Sequence, residues 1–253
     1  MKEKPGLRVK SEGFKKREEN YMRLSWIVLM LGLILLGSHA AAGAEEKEIL
    51  VVDRFSKGLN EEGNPVGWVR EKTPGPQSVI AVRKENGRSF LLLKSVGDAF
   101  GVKKEISFDI RKYPYLCWQW QAISLPPKGD IRKRETDDQA GQIYVVFPKF
   151  PALINSRSMG YIWDSLTPVG YTGTSTAYSK MKYVVLQSGK TKLGKWICES
   201  RNVYADYKKL FQEEPPEVGA VLLYINTQHT ESSGEIYYTD IYFSRSSPEC
   251  PKE

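Results

Sequence analysis

Histidine is scarce in this chain of 253 residues, which contains only His39 and His229. A zinc site built on three histidines, or on an H-E-x-x-H helix, is therefore excluded. His39 lies in a segment that we expect to be removed, so a Ser-His-Asp or Cys-His arrangement would have to use His229 as its base. His229 follows a predicted strand in a polar loop, where an exposed histidine, a ligand contact and a catalytic base are the alternatives.

Cysteine is also rare, with three residues at wide spacings, Cys117, Cys198 and Cys250. An odd number without C-x-x-C pairs excludes a dense disulfide framework and a zinc-finger motif. Cys117 and Cys198 lie in strand-like runs, where they either pair in an oxidising compartment or remain two buried thiols. Cys250 stands beside prolines near the C-terminus, so we expect it to be exposed.

Phosphate-binding and nucleophile motifs are missing as well. The chain has no G-x-G-x-x-G, and no serine lies in a G-x-S-x-G context. Residues Ser188–Thr191 read Ser-Gly-Lys-Thr, like the end of a P-loop, but Val184 occupies the position of that motif's first glycine. We interpret this run as a turn between two strands, so it does not indicate nucleotide binding.

A basic surface is not indicated once the N-terminal residues are set aside. Residues 1–44 contain eight lysines and arginines and four glutamates, which leaves 29 basic and 26 acidic residues, a net charge of +3. These charges are interleaved, as in Lys128–Asp138 (KGDIRKRETDD). A nucleic-acid-binding protein would instead show a clustered basic face. We therefore expect no nucleic-acid partner.

One apolar segment, Met22 to Ala44, has the order of a secretory signal peptide. It begins with an arginine, continues with the apolar run Trp26–Leu36, and ends in small residues with an A-x-A cleavage site. The run is about half of the roughly 20 residues that a membrane span requires. The sequence predicts that residues 1–44 are an N-terminal extension plus signal peptide, with the true start at Met22 and cleavage after Ala44. The mature protein, residues 45–253, is then periplasmic or secreted, and the membrane is a partner only through an uncleaved signal segment.

Residues 45–253 show short runs in which β-branched and aromatic residues alternate with polar ones, separated by turn residues. Eleven runs predict strands: Ile49–Asp53, Ser78–Val82, Phe90–Lys94, Val102–Phe108, Tyr115–Gln121, Gln142–Phe147, Gly160–Trp163, Met181–Gln187, Lys195–Val203, Ala220–Asn226 and Glu235–Phe243. One helix is predicted near 204–212. This pattern predicts a single all-β domain, an antiparallel two-sheet β-sandwich of jelly-roll type, in which the first and last strands pair.

Aromatic residues are concentrated between Tyr115 and Trp163. Trp118 and Trp120 alternate on one strand and therefore point to the same face. Together with Tyr161 and Trp163 they form either part of the core, since aromatic residues dominate core packing, or a platform that stacks on sugar rings. Both interpretations are open at the level of the sequence.

The charged candidates are Arg132 and the pair Asp137-Asp138. Adjacent residues on an extended chain point to opposite faces, so the pair alone cannot place two carboxyls roughly 5–10 Å apart across a glycosidic bond. The alternatives are a turn or an ion pair with Arg132, a ligand or metal contact, and catalysis. For catalysis, Asp138 would need a second carboxylate such as Glu235 or Asp240.

The order of these motifs resembles a family of bacterial secreted proteins known only as a domain of unknown function. The matching segments are Trp118-Gln119-Trp120, Leu125–Asp130, Asp137-Asp138, Tyr144–Phe147 and Tyr161–Trp163, and the resemblance extends from Asp53 to Phe243. After Ala220–Asn226 the family has acidic residues where this chain has Asn226, Gln228 and His229, which argues against a cation role for that loop. The chain also resembles galactose-binding jelly rolls, a likeness that implies a fold and not an activity.

From these observations we expect a non-catalytic, extracytoplasmic β-sandwich that binds a glycan or cell-envelope component, with no cofactor and no metal. The residues expected to contact the ligand are Trp118, Trp120, Arg132, Asp137, Asp138, Tyr161 and Trp163. Two alternatives are an envelope glycan hydrolase that uses Asp138 with a second carboxylate, and an envelope assembly domain whose aromatic residues all belong to the core.

Overall fold

The computed structural model describes residues 48–248 and residue 250. The predicted signal segment, its cleavage site and the predicted start at Met22 lie outside the described residues. Among the residues that are described, none of the helices has the length and the apolar character of a membrane span.

In this part of the chain the strands form two sheets that pack face to face. The six-stranded sheet contains, in spatial order, β11 (Ile197–Asn202), β6 (Tyr115–Ser124), β13 (Ser233–Ser244), β4 (Arg88–Val96) and β3 (Val79–Glu85), with β1 (Ile49–Asp53) beside β13. The seven-stranded sheet contains β2 (Val69–Arg70), β5 (Ala99–Phe108), β12 (Val218–Asn226), β7 (Gly141–Phe147), β8 (Arg157–Asp164), β10 (Met181–Ser188) and β9 (Thr172–Thr174). The prediction of a two-sheet β-sandwich is confirmed.

Helical structure is limited to short pieces in the described residues. A 3₁₀ turn covers Arg134–Thr136, the single turn α1 covers Ala152–Asn155, and α2 covers Val203–Phe211. The side chain of Asn202 caps α2 by accepting a hydrogen bond from the backbone N–H of Ala205, as short polar residues do at helix N-termini. The helix predicted near 204–212 is therefore present.

All eleven predicted strands are present, and their ends differ from the prediction by a few residues. The predicted pairing of first and last strands is also present, because β1 runs antiparallel to β13 with Ile49 opposite Ser244. The two strands that the sequence pattern missed, β2 and β9, are two and three residues long. Runs of that length are too short to show alternation.

One pair of neighbours differs from the expected antiparallel arrangement. β10 runs parallel to β8, with Met181 opposite Ser158 and Tyr183 opposite Gly160. The chain between them first forms β9, which pairs antiparallel with the far side of β10. Parallel neighbours need a long connection, usually a helix, and here residues 165–180 supply it without one. The missing helix is why the pattern predicted only antiparallel strands.

The core between the sheets is built from large aromatic side chains. Trp120 is fully buried and lies edge-on to Trp118, with ring centroids 5.4 Å apart and planes at 85°. Trp120 also contacts Trp163 from the opposite sheet at 5.6 Å, and Trp118 contacts Tyr161 at 5.5 Å. Such pairs add about 0.5–1.5 kcal/mol to the stabilisation from burial itself.

The cysteines pair differently from the suggested combination. Cys198 and Cys250 form a disulfide, so Cys250 is half-buried and not the exposed residue that the sequence suggested, while Cys117 is a buried free thiol. In the β6–β11 register Cys117 lies opposite Ser200, and Cys198 lies opposite Gln119. Diagonal neighbours of this kind are roughly 7–8 Å apart, which is beyond the reach of an unstrained disulfide. Burial raises the pKa of the Cys117 thiol.

Substitution of Trp120 by alanine tests the role of this core. We expect Trp120→Ala to lower the free energy of unfolding by about 3–5 kcal/mol, since it removes a fully buried ring from a packed interior. Ile123→Ala on the same strand is the control, because Ile123 is 37% exposed and the loss should be about 1 kcal/mol. Urea denaturation measures both, and equal losses would contradict the assignment.

Candidate functional site

The four predicted platform residues lie in the core. Trp118, Trp120, Tyr161 and Trp163 are each at most 1% exposed. Three of them also use their polar atoms internally: the Trp120 indole donates to Glu199, Tyr161 donates to Asp206, and Trp163 donates to the Gly189 carbonyl. Their rings offer no free face to a ligand, so the structure replaces the platform interpretation with the core interpretation.

Asp138 is a structural residue that joins two loops. It is fully buried, and its oxygens accept hydrogen bonds from the backbone N–H groups of His229 and Thr230 and from the Thr230 hydroxyl. His229 Nδ1 lies 3.2 Å from the same carboxylate. The loop before β7 is thereby fixed to the loop after β12. A fully buried carboxylate held in this way is not accessible to a substrate.

The second carboxylates considered for hydrolysis lie elsewhere. Glu235 and Asp240 belong to β13 in the six-stranded sheet. Asp138 lies in the loop before β7, a strand of the seven-stranded sheet. Glu235 accepts a hydrogen bond from Tyr237, and Asp240 lies 3.6 Å from Arg54. The structure therefore does not bring Asp138 and either partner to one cleft, which corrects that hypothesis.

Arg132 forms an ion pair within its own loop. Its guanidinium donates two hydrogen bonds of 2.7 Å to Asp130. This pairing is the main reason that the pKa of Asp130 is lowered to about 2. Asp130 also accepts from Thr167, so the arginine stabilises the junction between the β6–β7 and β8–β9 loops. Arg132 does not line the cleft described next.

A cleft of about 420 Å³ lies on the outer face of the seven-stranded sheet, and we call it the tyrosine cleft. Its volume is within the range of small-molecule sites. Its lining comes from β7, β10, β12 and three loops, and comprises Ile131, Arg134, Asp137, Gln139, Gln142, Tyr144, Ser175, Thr176, Ala177, Tyr178, Met181, Tyr183, Leu222, Tyr224, Asn226, Gln228 and His229. Of the predicted site residues, Asp137 is the one that lines it.

The floor of the cleft is made by tyrosines that alternate with core residues. Tyr144, on β7, lies between Ile143 and Val145, which point into the core, and therefore points outward. Tyr183 and Tyr224 have the same orientation on β10 and β12.

Glycines on neighbouring strands let these rings lie against the sheet. A Cβ added at Gly160 would overlap the ring of Tyr144, and one added at Gly173 would overlap Tyr183. Gly101 is related to Tyr224 in the same way. Because only glycine leaves room for this contact, three separate strands each place a tyrosine ring against the sheet. Tyr144 is 5% exposed and Tyr183 is 2% exposed, whereas Tyr224 is half-buried and offers more ring surface to a ligand.

Polar side chains surround this surface in a connected network. Tyr144 donates to Gln142 at 2.7 Å, and Gln142 donates in turn to the backbone carbonyl of Gln139. Asn226 donates to the carbonyl of Asp137 and lies 3.2 Å from His229 Nδ1. The network fixes the orientation of these amide groups at the cleft wall.

Asp137 carries the carboxylate of the cleft. It accepts hydrogen bonds from Gln139 at 3.1 Å and from Thr176 at 3.2 Å, which joins the β6–β7 loop to the β9–β10 loop. Burial raises the pKa of the Asp137 carboxyl above its ordinary value of 3.8, against the lowering effect of those two hydrogen bonds and of His229. Among the described residues, no three His, Cys, Asp or Glu side chains lie together as metal ligands.

The sequence analysis missed the tyrosines of the floor. Tyr144 lies in the segment Tyr144–Phe147, but the tryptophans, which are the larger and rarer rings, gave the stronger signal for a ligand platform. The available signal was the alternation itself: Tyr144 is out of phase with Ile143 and Val145, and Gly160 is out of phase with Tyr161. A large outward ring beside an outward glycine on the next strand indicates a ring that lies flat on a sheet.

The raised pKa of Asp137 gives a prediction for stability. The folded protein binds a proton at Asp137 more tightly than the unfolded chain, so this group's contribution to stability is lost as pH rises through the folded pKa. We therefore expect Asp137→Asn to be modestly more stable than the wild type at pH 7 and to lose that advantage in acid. Thermal melts across pH measure this. The control is Glu135→Gln, an exposed substitution in the same loop, which should show no such dependence on pH. If Asp137→Asn is less stable than the wild type at pH 7, the prediction is wrong.

Solved structures of similar topology include two with carbohydrate ligands in their descriptions. A family 11 carbohydrate-binding module from Clostridium thermocellum is 6% identical, with 76% of this chain and 97% of the module covered and a TM-score of 0.39. The xyloglucanase domain of NopAA from Sinorhizobium fredii is 11% identical, with 72% and 93% covered and a TM-score of 0.40.

The sequence comparisons concern the family. A search of curated proteins gives no significant match. The model of a family described as protein of unknown function (DUF3047) matches residues 66–242, which confirms the resemblance to a domain of unknown function seen in the motifs. Since the match spans well over half of the chain, this protein belongs to the DUF3047 family of proteins of unknown function.

Proposed function

We propose that this protein binds a glycan in the tyrosine cleft and does not cleave it. The observation that carries the proposal is the convergence of tyrosine rings and fixed polar groups in one open cleft on the outer sheet face. A sugar ring has an apolar face of C–H groups and an edge of hydroxyls. Tyrosine combines an apolar ring with a hydroxyl, so it suits both parts of such a ligand.

The polar groups have the chemistry that hydroxyls require. The wall offers carboxylate, amide and imidazole groups, on Asp137, Gln139, Asn226, Gln228 and His229. These groups donate and accept hydrogen bonds without a strong net charge, as the recognition of a neutral polyol requires. Several of them are already held by neighbours, which limits the entropy lost when a ligand orders them.

The count of carboxylates supports binding over hydrolysis. Glycosidases canonically place two carboxyl groups on either side of the scissile bond. Asp137 is the one carboxylate among the described residues that line the tyrosine cleft. With no second acid to act as base or nucleophile, the cleft suits recognition of a glycan.

The proposal includes the compartment. The segment Met22–Ala44 has the pattern of an export signal, and the Cys198–Cys250 disulfide is of a kind that persists in oxidising compartments. Both support a periplasmic or secreted protein. We accordingly propose that the glycan belongs to the cell envelope or to its surroundings.

Removal of one tyrosine tests the proposal. Tyr224 is half-buried in the floor of the tyrosine cleft, where its ring lies over Gly101. We expect Tyr224→Ala to weaken glycan binding about tenfold or more, because this stacking surface is lost. The matched control is Tyr237→Ala, which removes a half-buried tyrosine from the six-stranded sheet. A glycan array followed by calorimetry on the best ligand measures both variants.

Two results would overturn the proposal. One is the absence of any glycan bound by the folded wild-type protein across the array. The other is a glycan whose affinity falls with Tyr237→Ala and not with Tyr224→Ala. Circular dichroism melts of both variants establish that they are folded before binding is compared.

A further inference from the structure

Several acidic side chains of the fold pair with a lysine or an arginine, and among the described residues the carboxylate of Asp137 does not. Lys104 lies 2.8 Å from Asp53, and Arg157 lies 2.9 Å from Glu213. Asp130 has Arg132 at 2.7 Å. Within the described residues, Asp137 has no lysine or arginine at ion-pair distance and accepts hydrogen bonds only from neutral side chains.

A second buried acid shows how the fold otherwise satisfies an unpaired carboxylate. Asp164 is fully buried and accepts hydrogen bonds from the backbone N–H groups of Ile131, Leu166 and Thr167. Asp164 does not line the tyrosine cleft. Within the described residues Asp137 accepts no hydrogen bond from a backbone N–H group, and it lines the cleft, so a ligand there can reach its carboxylate.

The side chains around Asp137 suit a cation. Tyr144, Tyr183 and Tyr224 line the same cleft as Asp137, and Tyr224 is half-buried. Tyrosine rings attract a cation that lies over their faces, and rings combined with an anionic group form the usual recognition site for substituted ammonium groups.

Arg134 and His229 line the same cleft, and neither forms an ion pair with Asp137 within the described residues. Arg134 is exposed, and no ion pair links it to an acid among the described residues. His229 directs Nδ1 toward Asp138 and Asn226. The position in front of Asp137 is therefore left for a positive group supplied by the ligand.

We propose that the glycan bound in the tyrosine cleft contains a hexosamine with a free, protonated amine, which pairs with the Asp137 carboxylate. This inference rests on the proposed function and narrows it to one class of sugar. The pyranose ring contacts the half-buried ring of Tyr224, and its ammonium group lies at the Asp137 carboxylate. N-acetylation removes the charge and with it this contact.

Calorimetry with the full chain and three probes tests the inference. The measurements are made near pH 6, below the pKa range of about 7.7–8.0 typical of α-amino groups, so that the amines of the probes carry a positive charge. The probes are a β-1,4-linked glucosamine trimer, the matching N-acetylglucosamine trimer and a tri-lysine peptide. We expect the glucosamine trimer to bind about tenfold more tightly than its acetylated form. We also expect this ratio to fall as salt is raised, because salt screens a half-buried ion pair in part.

Two variants locate the preference. Asp137→Asn, which is close in shape to the wild-type residue, should reduce the ratio of affinities to about one. Glu135→Gln removes the same charge from the same loop, on an exposed side chain outside the cleft, and should leave the ratio unchanged. The pair separates a local contact from the general effect of charge.

The outcomes separate this inference from the proposed function. Equal affinities for the two trimers, or a preference for the acetylated one, would overturn the inference and leave glycan binding in place. A tri-lysine peptide that binds as tightly as the glucosamine trimer would overturn the assignment to a sugar. If neither trimer binds, the hexosamine assignment fails, and the array result decides the proposed function.

Discussion

The packing of aromatic rings between the two sheets is the constraint on which the rest of the structure depends. Trp118 and Trp120 from one sheet meet Tyr161 and Trp163 from the other, and none of these rings is more than 1% exposed. Side chains of a strand alternate between faces, so a register slip of one residue would turn these rings into solvent. The same alternation directs Tyr144 outward, so the core sets the register that builds the cleft.

The pair Asp137-Asp138 shows how adjacent residues of one type acquire different roles. Asp138 joins two loops through three donors, the backbone N–H groups of His229 and Thr230 and the Thr230 hydroxyl, and is fully buried. Because this anchor fixes the backbone just before β7, the neighbouring Asp137 is held toward the cleft. An unanchored loop would let Asp137 turn into water, where a carboxylate is better solvated.

The sequence predicted the fold better than the site, for a physical reason. Strand alternation is local and is read directly from residues such as those of β7, and all the predicted strands exist. The parallel β8–β10 pair is not local, since it depends on a connection that places β9 on the side of β10 away from β8. The cleft is equally non-local: Tyr144 meets Gly160 only through strand pairing, and Asp137 meets Thr176 only through loop packing. Residue type alone favoured the tryptophans, which the core requires.

An unpaired, half-buried carboxylate has a cost that a purely structural loop would avoid. Burial raises the pKa of Asp137, which means that the folded state holds its charged form against an electrostatic penalty. Asp53 and Asp130 pair with cations and have a lowered pKa, whereas burial raises the pKa of Asp164 and of Glu199, which do not line the tyrosine cleft. Local rules tend to be broken where function requires it, and Asp137 is a residue that lines an open cleft beside aromatic rings. The electrostatic penalty, the aromatic floor and the lack of a lysine or arginine partner among the described residues coincide at Asp137, where a cationic ligand would relieve part of the penalty.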